Sequence, residues 1–369
     1  MLTLVSLLLF SLSSQVAASP CVAFDANWNL YAFGFNGKDF NAGTSDTWAS
    51  GTASDATASG RPPFDGTNTT CYLSQFSNAI YVMNGNASDP NAVHIYNPGG
   101  KSWTTQTTSG GPNGFSTILD HDTNVFYALS DAGELWFLDF TNLTTTALPA
   151  TIPWTDVEKA GFDTTNYSPV MALANNHVHF INVPGVAAGS ADIFVIHFSF
   201  FQPTPQPYGN FPAQHGQTAS IFMPANDGLA FAYIPDDGSA TYIIDVVSNT
   251  TTTMAGPSAK DSSASYFASD AAIVQLTSSG DVNFIPYTNS SADSSASWST
   301  VKNLVSVAPT SSAGSATGTA SGSKSSATSG SSSGSGSGSS SSNDARKSSG
   351  AVLGMMAALS LGSIAIFLS

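Results

Sequence analysis

The sequence predicts an all-β fold, and three observations carry this prediction. Short runs rich in Val, Ile, Phe and Tyr alternate with turns of Gly, Asn and Asp, which is typical of strands joined by tight turns. No convincing amphipathic helix interrupts the runs, since "WTDVEKAGF" is too short to change the class. The pattern of apolar strand, turn and apolar strand recurs, and its second strands begin near Leu30, Ile80, Val125, Val178, Leu229 and Ile273.

The repeat length indicates the architecture. Successive second strands are 50, 45, 53, 51 and 44 residues apart, and tryptophans repeat on the same period at Trp48, Trp103, Trp154 and Trp298. A unit of about 50 residues with about four strands is typical of a β-propeller blade. The sequence therefore predicts a β-propeller, with a pair of β-sandwiches as the alternative.

The stretch "NAIYVMNG...NAVHIYNPGGKSW" shows an apolar strand that ends in glycine, then a strand, a turn and a tryptophan. This order resembles a kelch-type blade, although the paired glycines that usually end the second strand are absent from every unit. The resemblance implies about six kelch-like blades over residues 21–305. We expect the N-terminal strand and the segment around Trp298–Val301 to share the closing blade.

Composition excludes two classes of partner. Charged residues make up 9% of the chain, the net charge is −15, and Lys and Arg together number only nine. Nucleic acids and anionic lipid surfaces both attract clusters of Lys and Arg. The sequence therefore predicts no nucleic-acid partner, and no membrane contact through a basic surface.

The chain begins with an apolar run followed by small residues, which predicts a secretory signal peptide at residues 1–18. Val16 and Ala18 satisfy the small-residue rule for cleavage after Ala18. An N-terminal membrane anchor is the alternative, but the run is short for a membrane span. In a secreted chain, the two cysteines Cys21 and Cys71 predict one disulfide bond. A catalytic thiol is the alternative, although no histidine or basic residue lies near either cysteine in sequence.

Six N-x-Ser/Thr sequons predict N-glycosylation on surface turns. The least favourable of them is at Asn166, because Pro169 directly follows its Ser168. The six positions are Asn68, Asn86, Asn142, Asn166, Asn249 and Asn289.

The end of the chain predicts a lipid anchor. Residues 306–343 form a stalk rich in Ser, Gly and Thr, whose composition does not support a packed core. A short polar spacer and an apolar run from Ala351 to Ser369 follow, with no basic residue after them. This layout predicts a GPI-attachment signal with attachment at Asn343 and a propeptide at 344–369. Ser340, Ser341 or Ser342 are alternative attachment residues, and a tail helix is the alternative to the signal.

Two short patterns are compatible with metal binding. "HVHF" places His177 and His179 on one face of a strand, and imidazoles on one face are suited to a metal. "DHDTN" spaces Asp120, Asp122 and Asn124 like the start of a calcium loop, but Val125 replaces the turn glycine that such a loop needs. Hydrogen-bonded histidines and an ordinary hairpin turn are the favoured interpretations. No metal and no cofactor are predicted.

The sequence contains no recognisable catalytic motif. Glycoside hydrolysis needs two carboxylates that face each other across a cleft, and Asp139, Asp192 and Asp245 on or beside apolar strands are candidates by default. The chain contains no G-x-S-x-G elbow, no P-loop and no G-x-G-x-x-G pattern. No catalytic residue is therefore assigned.

The stretch "HFSFFQPTPQPYGNF" places aromatic residues around a Pro-rich segment that does not continue a central strand. Phe200, Phe201 and Tyr208 are accordingly candidate contacts for sugar rings or for a protein partner. The alternative is an outer strand and an inter-blade loop whose aromatic side chains are buried.

A signal peptide, sequons, a Ser-rich stalk and a GPI signal together resemble fungal GPI-anchored cell-surface glycoproteins. The resemblance implies location on the outer leaflet of the plasma membrane or in the cell wall, with membrane contact through the GPI lipid only. We expect a structural or adhesive, non-enzymatic protein whose partner is a wall polysaccharide or a surface protein. A carbohydrate-binding module is the first alternative, and a wall-remodelling glycoside hydrolase is the second.

Overall fold

The computed structural model describes residues 19–221, 229–287 and 295–308, which lie in one compact unit. The predicted signal peptide, GPI-attachment residue Asn343, propeptide and sequon Asn289 lie outside the described residues, as does nearly all of the predicted stalk.

The described chain forms successive groups of antiparallel strands, each called a blade below. The strands of the first three blades are β1 (Cys21–Phe24), β2 (Leu30–Phe35), β3 (Lys38–Asn41) and β4 (Ser54–Asp55); β5 (Thr70–Ser74), β6 (Ala79–Met83), β7 (Ala92–Asn97) and β8 (Ser102–Ser109); and β9 (Phe115–Asp120), β10 (Val125–Ser130), β11 (Glu134–Asp139) and β12 (Ile152–Lys159).

The last three blades follow the same order, and the fourth has an additional short strand. Their strands are β13 (Val170–Ala174), β14 (His177–Ile181), β15 (Ser190–Val195), β16 (Phe200–Phe201) and β17 (Gln206–Pro207); β18 (Gly216–Ile221), β19 (Ala230–Pro235), β20 (Ala240–Asp245) and β21 (Thr250–Ala255); and β22 (Ser265–Ala268), β23 (Ala272–Leu276), β24 (Val282–Pro286) and β25 (Ser299–Thr300). A four-residue helix α1 (Lys302–Val305) follows.

The blades close into a ring, which makes the fold a six-bladed β-propeller. The first strands β1, β5, β9, β13, β18 and β22 contact each other in this order, and β22 also contacts β1. Cyclic contact between first strands is incompatible with a pair of β-sandwiches. The predicted second strands are confirmed, because β2, β6, β10, β14, β19 and β23 each begin within one residue of the predicted position.

Tryptophans at or before the fourth strands pack one blade against the preceding one. The Trp103 ring lies 5.3 Å from that of Phe33 in the first blade, and the Trp298 indole N–H donates to the Ala255 carbonyl of the fifth blade at 2.9 Å. Trp154 is buried in a cluster with Tyr81 of the second blade. The repeat in the sequence therefore reflects burial of one blade's face against its neighbour.

The second and third blades are joined at their outer edges. Strands β8 and β12 pair in parallel through Ile152 with Thr108 and Pro153 with Ser109. The Gln106 side chain extends this contact, since its amide donates to the Ala150 carbonyl at 2.7 Å and its oxygen accepts from the Leu148 amide at 2.8 Å. These contacts produce one continuous eight-stranded sheet.

The prediction of a shared closing blade is wrong. β1 belongs entirely to the first blade, and β25 is the outer strand of the sixth. Ring closure comes instead from packing of β22 against β1 and from the segment around α1. The Asn303 amide donates to the Ala42 carbonyl at 2.8 Å, and the Lys302 N–H donates to the Trp48 carbonyl at 2.9 Å. Backbone and amide hydrogen bonds thus replace a shared strand.

The predicted disulfide is confirmed. Cys21 on β1 and Cys71 on β5 are bonded, with their Cα atoms 5.8 Å apart, and both side chains are buried. The bond links the first strands of the first and second blades, so it does not lie at the junction where the ring closes. It connects neighbouring blades around the centre of the propeller.

Antiparallel strand order gives the ring two faces. The loops that enter each first strand, such as 160–169, share one face with the loops between second and third strands, such as 182–189; we call it the entry face. The opposite turn face carries the first hairpin turns and the loops between third and fourth strands. Asn36 in an entry-face loop donates to the Val307 and Ala308 carbonyls, so the last described residues lie at the entry face.

Within the described residues, no helix is long and apolar enough to cross a membrane.

Candidate functional site

An open pocket of about 480 Å³ lies on the entry face, between the loops of the fourth and fifth blades. Its volume is in the range of about 300–1,000 Å³ that is typical of small-molecule sites. Three separate loops form its wall. The lining residues are Asn166, Tyr167, Ser168, Asn182, Val183, Pro184, Gly185, Val186, Ala213 and His215.

Tyr167 fixes the first of these loops against the fourth blade. Its hydroxyl donates to the Ile181 carbonyl at 2.9 Å and accepts from the Val170 N–H at 3.2 Å. The Tyr167 N–H in turn donates to the Thr164 carbonyl at 3.1 Å, which closes a turn. Burial raises the pKa of Tyr167, so this hydroxyl remains protonated in the folded protein. Asn166 and Ser168 are consequently held on either side of an anchored residue.

His215 forms the rim of the pocket on the fifth blade. It precedes β18, whereas Asp236 follows β19, so the antiparallel pairing of these strands brings the two side chains together. The His215 Nδ1 atom lies 2.7 Å from Asp236 Oδ2, and the Asp236 N–H donates to the His215 carbonyl at 3.1 Å. A carboxylate bound at Nδ1 fixes the ring orientation and leaves Nε2 as the nitrogen available to a ligand.

The pocket lining is part polar and part apolar, and most of its groups are uncharged. Asn166 and Asn182 supply amides, Ser168 supplies a hydroxyl, and Pro184 with Val186 adds an apolar surface. Amides and hydroxyls both donate and accept hydrogen bonds. Such a lining suits a neutral ligand rich in hydroxyl groups.

A buried carboxyl lies close to the pocket loops. Asp192 on β15 is 6% exposed, and burial raises its pKa. It is near enough to Tyr167 that its charge helps to raise the pKa of that hydroxyl. One of its oxygens, Oδ2, has no hydrogen-bond partner among the described residues. Ionisation of this group is therefore unfavourable in the folded state.

The carboxylates that were candidates for glycoside hydrolysis are not brought together. Asp139 and Asp245 end the third strands of different blades at the turn face, whereas Asp192 lies near the entry-face end of its strand. Asp139 accepts the Thr141 N–H at 2.9 Å, and Asp245 accepts the Val247 N–H at 2.9 Å. Both therefore stabilise tight turns.

The predicted aromatic contacts separate into exposed and buried residues. Phe200 is 42% exposed, but the ring of Phe201 packs 5.0 Å from that of Phe194 and 5.7 Å from that of Phe162. Tyr208 is only 3% exposed. The structure thus contradicts Tyr208 as a surface contact, because the loop returns to the blade and buries its ring. Phe198, which precedes the predicted residues, is the more exposed aromatic at 78%.

The histidines of "HVHF" share a face, with ring centroids 6.3 Å apart. His179 is buried, and its Nε2 atom lies 3.0 Å from the Tyr208 hydroxyl. His177 contacts the Asn175 carbonyl. Across residues 19–221, 229–287 and 295–308, no group of three or more His, Cys, Asp and Glu is placed to hold a metal ion.

The "DHDTN" stretch forms the hairpin turn between β9 and β10. The fully buried Asp120 accepts from the Asp122 N–H at 3.3 Å and from the Thr123 hydroxyl at 2.5 Å. Asp25 accepts turn N–H groups at the same place in the first blade, and the Ser269 hydroxyl does so in the sixth. The spacing of the acids therefore belongs to a turn that recurs in several blades.

The sequons divide between the faces. Asn68, Asn86 and Asn166 lie in entry-face loops, whereas Asn142 and Asn249 lie in turn-face loops. Of these five, all are exposed except Asn86, which is half-buried. Of the five, Asn166 also lines the pocket. The sequence does not predict the pocket, because the loops that line it carry common polar residues separated by up to 49 positions.

Comparisons with known proteins assign no family. No protein-family model matches the chain, and no curated protein matches it. One similar solved structure is titled "Structure of YjhT"; it is 11% identical, covers 78% of this chain and 98% of its own, and has a TM-score of 0.46. Strand pairing and the contacts between first strands define the six blades.

Proposed function

We propose that this protein is a GPI-anchored cell-surface or cell-wall glycoprotein with an adhesive, non-enzymatic role, and that it acts by binding neutral carbohydrate. The observation that carries the proposal is the entry-face pocket, whose wall combines amides, a hydroxyl and an imidazole with an apolar surface. Sugars present hydroxyl groups and weakly polar ring faces, which these groups complement.

Two further features support the extracellular part of the proposal. The Cys21–Cys71 disulfide joins buried strands, and such bonds persist in oxidising compartments. Most of the described sequon asparagines are exposed, as acceptors of glycans must be. The GPI signal and the stalk remain predictions from the sequence.

The anchor and the binding activity are tested on the full chain expressed in a eukaryotic host. Release of the protein from intact cells by a phosphatidylinositol-specific phospholipase would support the anchor. The released protein is then applied to immobilised wall polysaccharides and neutral oligosaccharides, and soluble products are assayed in the same wells. Saturable binding without products supports the proposal. Released products would contradict the non-enzymatic role. Absence of binding both before and after enzymatic removal of the N-glycans would contradict carbohydrate recognition.

A further inference from the structure

We propose that an N-linked glycan on Asn166 covers the entry-face pocket, so that glycosylation of this residue controls access to it. This inference depends on the proposed function in one respect only, which is the identity of the ligand that the glycan would keep out of the pocket. It concerns one sequon, because Asn166 alone of the five described sequon asparagines lines the pocket. The modifying group is an oligosaccharide joined through the side-chain nitrogen of Asn166.

The geometry fixes the base of such a glycan at the pocket. Asn166 is exposed and adopts a φ of 58°, a conformation that asparagine tolerates well in turns. The next residue, Tyr167, is anchored through its hydroxyl to the Ile181 carbonyl and the Val170 N–H. The attachment point therefore does not swing away from the pocket unless these hydrogen bonds break.

The third residue of the sequon also places the glycan attachment point at the pocket. Ser168 lines the pocket as well, so the sequon spans part of its wall. His215, which lines the pocket from the fifth blade, is held by Asp236. A glycan extending from Asn166 across the opening would cover the loop at 182–186 and the imidazole of His215.

Pro169 makes this sequon suited to regulating access to the pocket. It is the least favourable of the six sequons, because proline directly follows Ser168. Partial occupancy would produce two populations of the protein, one with a covered pocket and one with an open pocket. A fully occupied site would instead remove the pocket from use.

The test uses the full chain from a glycosylating eukaryotic host. Asn166→Gln and Ser168→Ala both remove the sequon but change different atoms of the pocket. Asn142→Gln removes a turn-face sequon and is the matched control. Glycopeptide mass spectrometry measures occupancy. Carbethoxylation of His215 measures access to the pocket without any ligand. The modification is mapped by mass spectrometry and normalised to that of His197, which is exposed on the turn face.

We expect Asn166 to carry a glycan in a fraction of the wild-type molecules. His215 in both pocket variants should react at the rate of the unglycosylated wild-type fraction, several-fold faster than in the glycosylated fraction, and Asn142→Gln should leave both rates unchanged. An unmodified Asn166, or equal His215 reactivity in glycosylated and unglycosylated protein, would overturn the inference. If no variant binds carbohydrate while His215 becomes more reactive, masking is supported and the proposed ligand is wrong.

Discussion

The guanidinium of Arg61 donates two hydrogen bonds, each 2.9 Å long, to the fully buried carboxylate of Asp39. Arg61 lies in the connection between the first and second blades, and Asp39 lies on β3. The Gly34 N–H also donates to Asp39 Oδ1 at 3.0 Å, and the Arg61 guanidinium lies over the Phe64 ring. The pair therefore fixes an inter-blade connection to the sheet that precedes it.

Removal of Arg61 is expected to be strongly destabilising. Arg61→Ala leaves the Asp39 carboxylate buried without its counter-charge, which costs about 3–5 kcal/mol of unfolding free energy. Lys38 and Asp55 form an ion pair of similar length at the surface, where both side chains are about half exposed. Lys38→Ala is the matched control and should cost about 0–1 kcal/mol. Chemical denaturation measures both, and equal losses would contradict the structural role of Arg61.

The disulfide is expected to contribute strongly to stability. Cys21 and Cys71 are 50 residues apart, and closing a loop of this length constrains the unfolded chain by about 4 kcal/mol in the chain-entropy model. The double variant Cys21→Ser/Cys71→Ser should lose most of this free energy of unfolding. Denaturation with and without reductant provides the measurement. If reductant destabilises the double variant as much as it does the wild type, the disulfide is not the cause.

His179 should make the protein sensitive to mild acid. Burial lowers the pKa of His179 to about 3, whereas the unfolded chain titrates near the ordinary histidine value. The unfolded state therefore binds a proton first, and stability falls as the pH drops below about 6.5, by up to about 1.4 kcal/mol per pH unit from this group. His179→Gln should reduce the slope of unfolding free energy against pH between neutrality and pH 5.

Tyr208→Phe is the control for His179. It removes the hydrogen bond to Nε2 but leaves the imidazole buried, so stability should fall by about 1 kcal/mol while the slope with pH remains. A slope unchanged in His179→Gln would show that other groups cause the acid sensitivity. His94 is one such group, because burial lowers its pKa as well.

Asp192 should have the opposite pH dependence. Burial raises its pKa, so the folded protein favours the protonated carboxyl, and stability decreases as the pH rises from the ordinary aspartate value through the raised one. Asp192→Asn does not ionise. The difference in unfolding free energy between Asp192→Asn and the wild type should therefore move in favour of the variant as the pH rises from 4 towards neutrality. A difference independent of pH would contradict this account.

The parts of the fold that depend on local sequence were predicted well. An apolar strand, an Asn- or Asp-containing turn and a second apolar strand lie close together in the chain, so the second strands were located within one residue. Trp103 and Trp154 lie on fourth strands. They recur on the period of the repeat because each blade must bury a large side chain against its neighbour.

The features that sequence did not predict depend on distant contacts. Ring closure uses hydrogen bonds between α1 and the first blade, 261 residues apart for Asn303 and Ala42. The sequence predicts Tyr208 as a surface aromatic. The structure buries it instead, with its hydroxyl in contact with His179, 29 residues away. The pocket likewise needs three loops from two blades, and none of these loops has a distinctive pattern by itself.

The most direct test of the central claim compares carbohydrate binding by His215→Ala with binding by His197→Ala, in full-length protein produced without N-glycosylation. His215 lines the pocket, whereas His197 is exposed on the turn face. Loss of one hydrogen bond from the pocket should weaken binding about fivefold in His215→Ala. His197→Ala should bind like its parent. Equal binding by both variants, or a loss confined to His197→Ala, would contradict the entry-face pocket as the binding site.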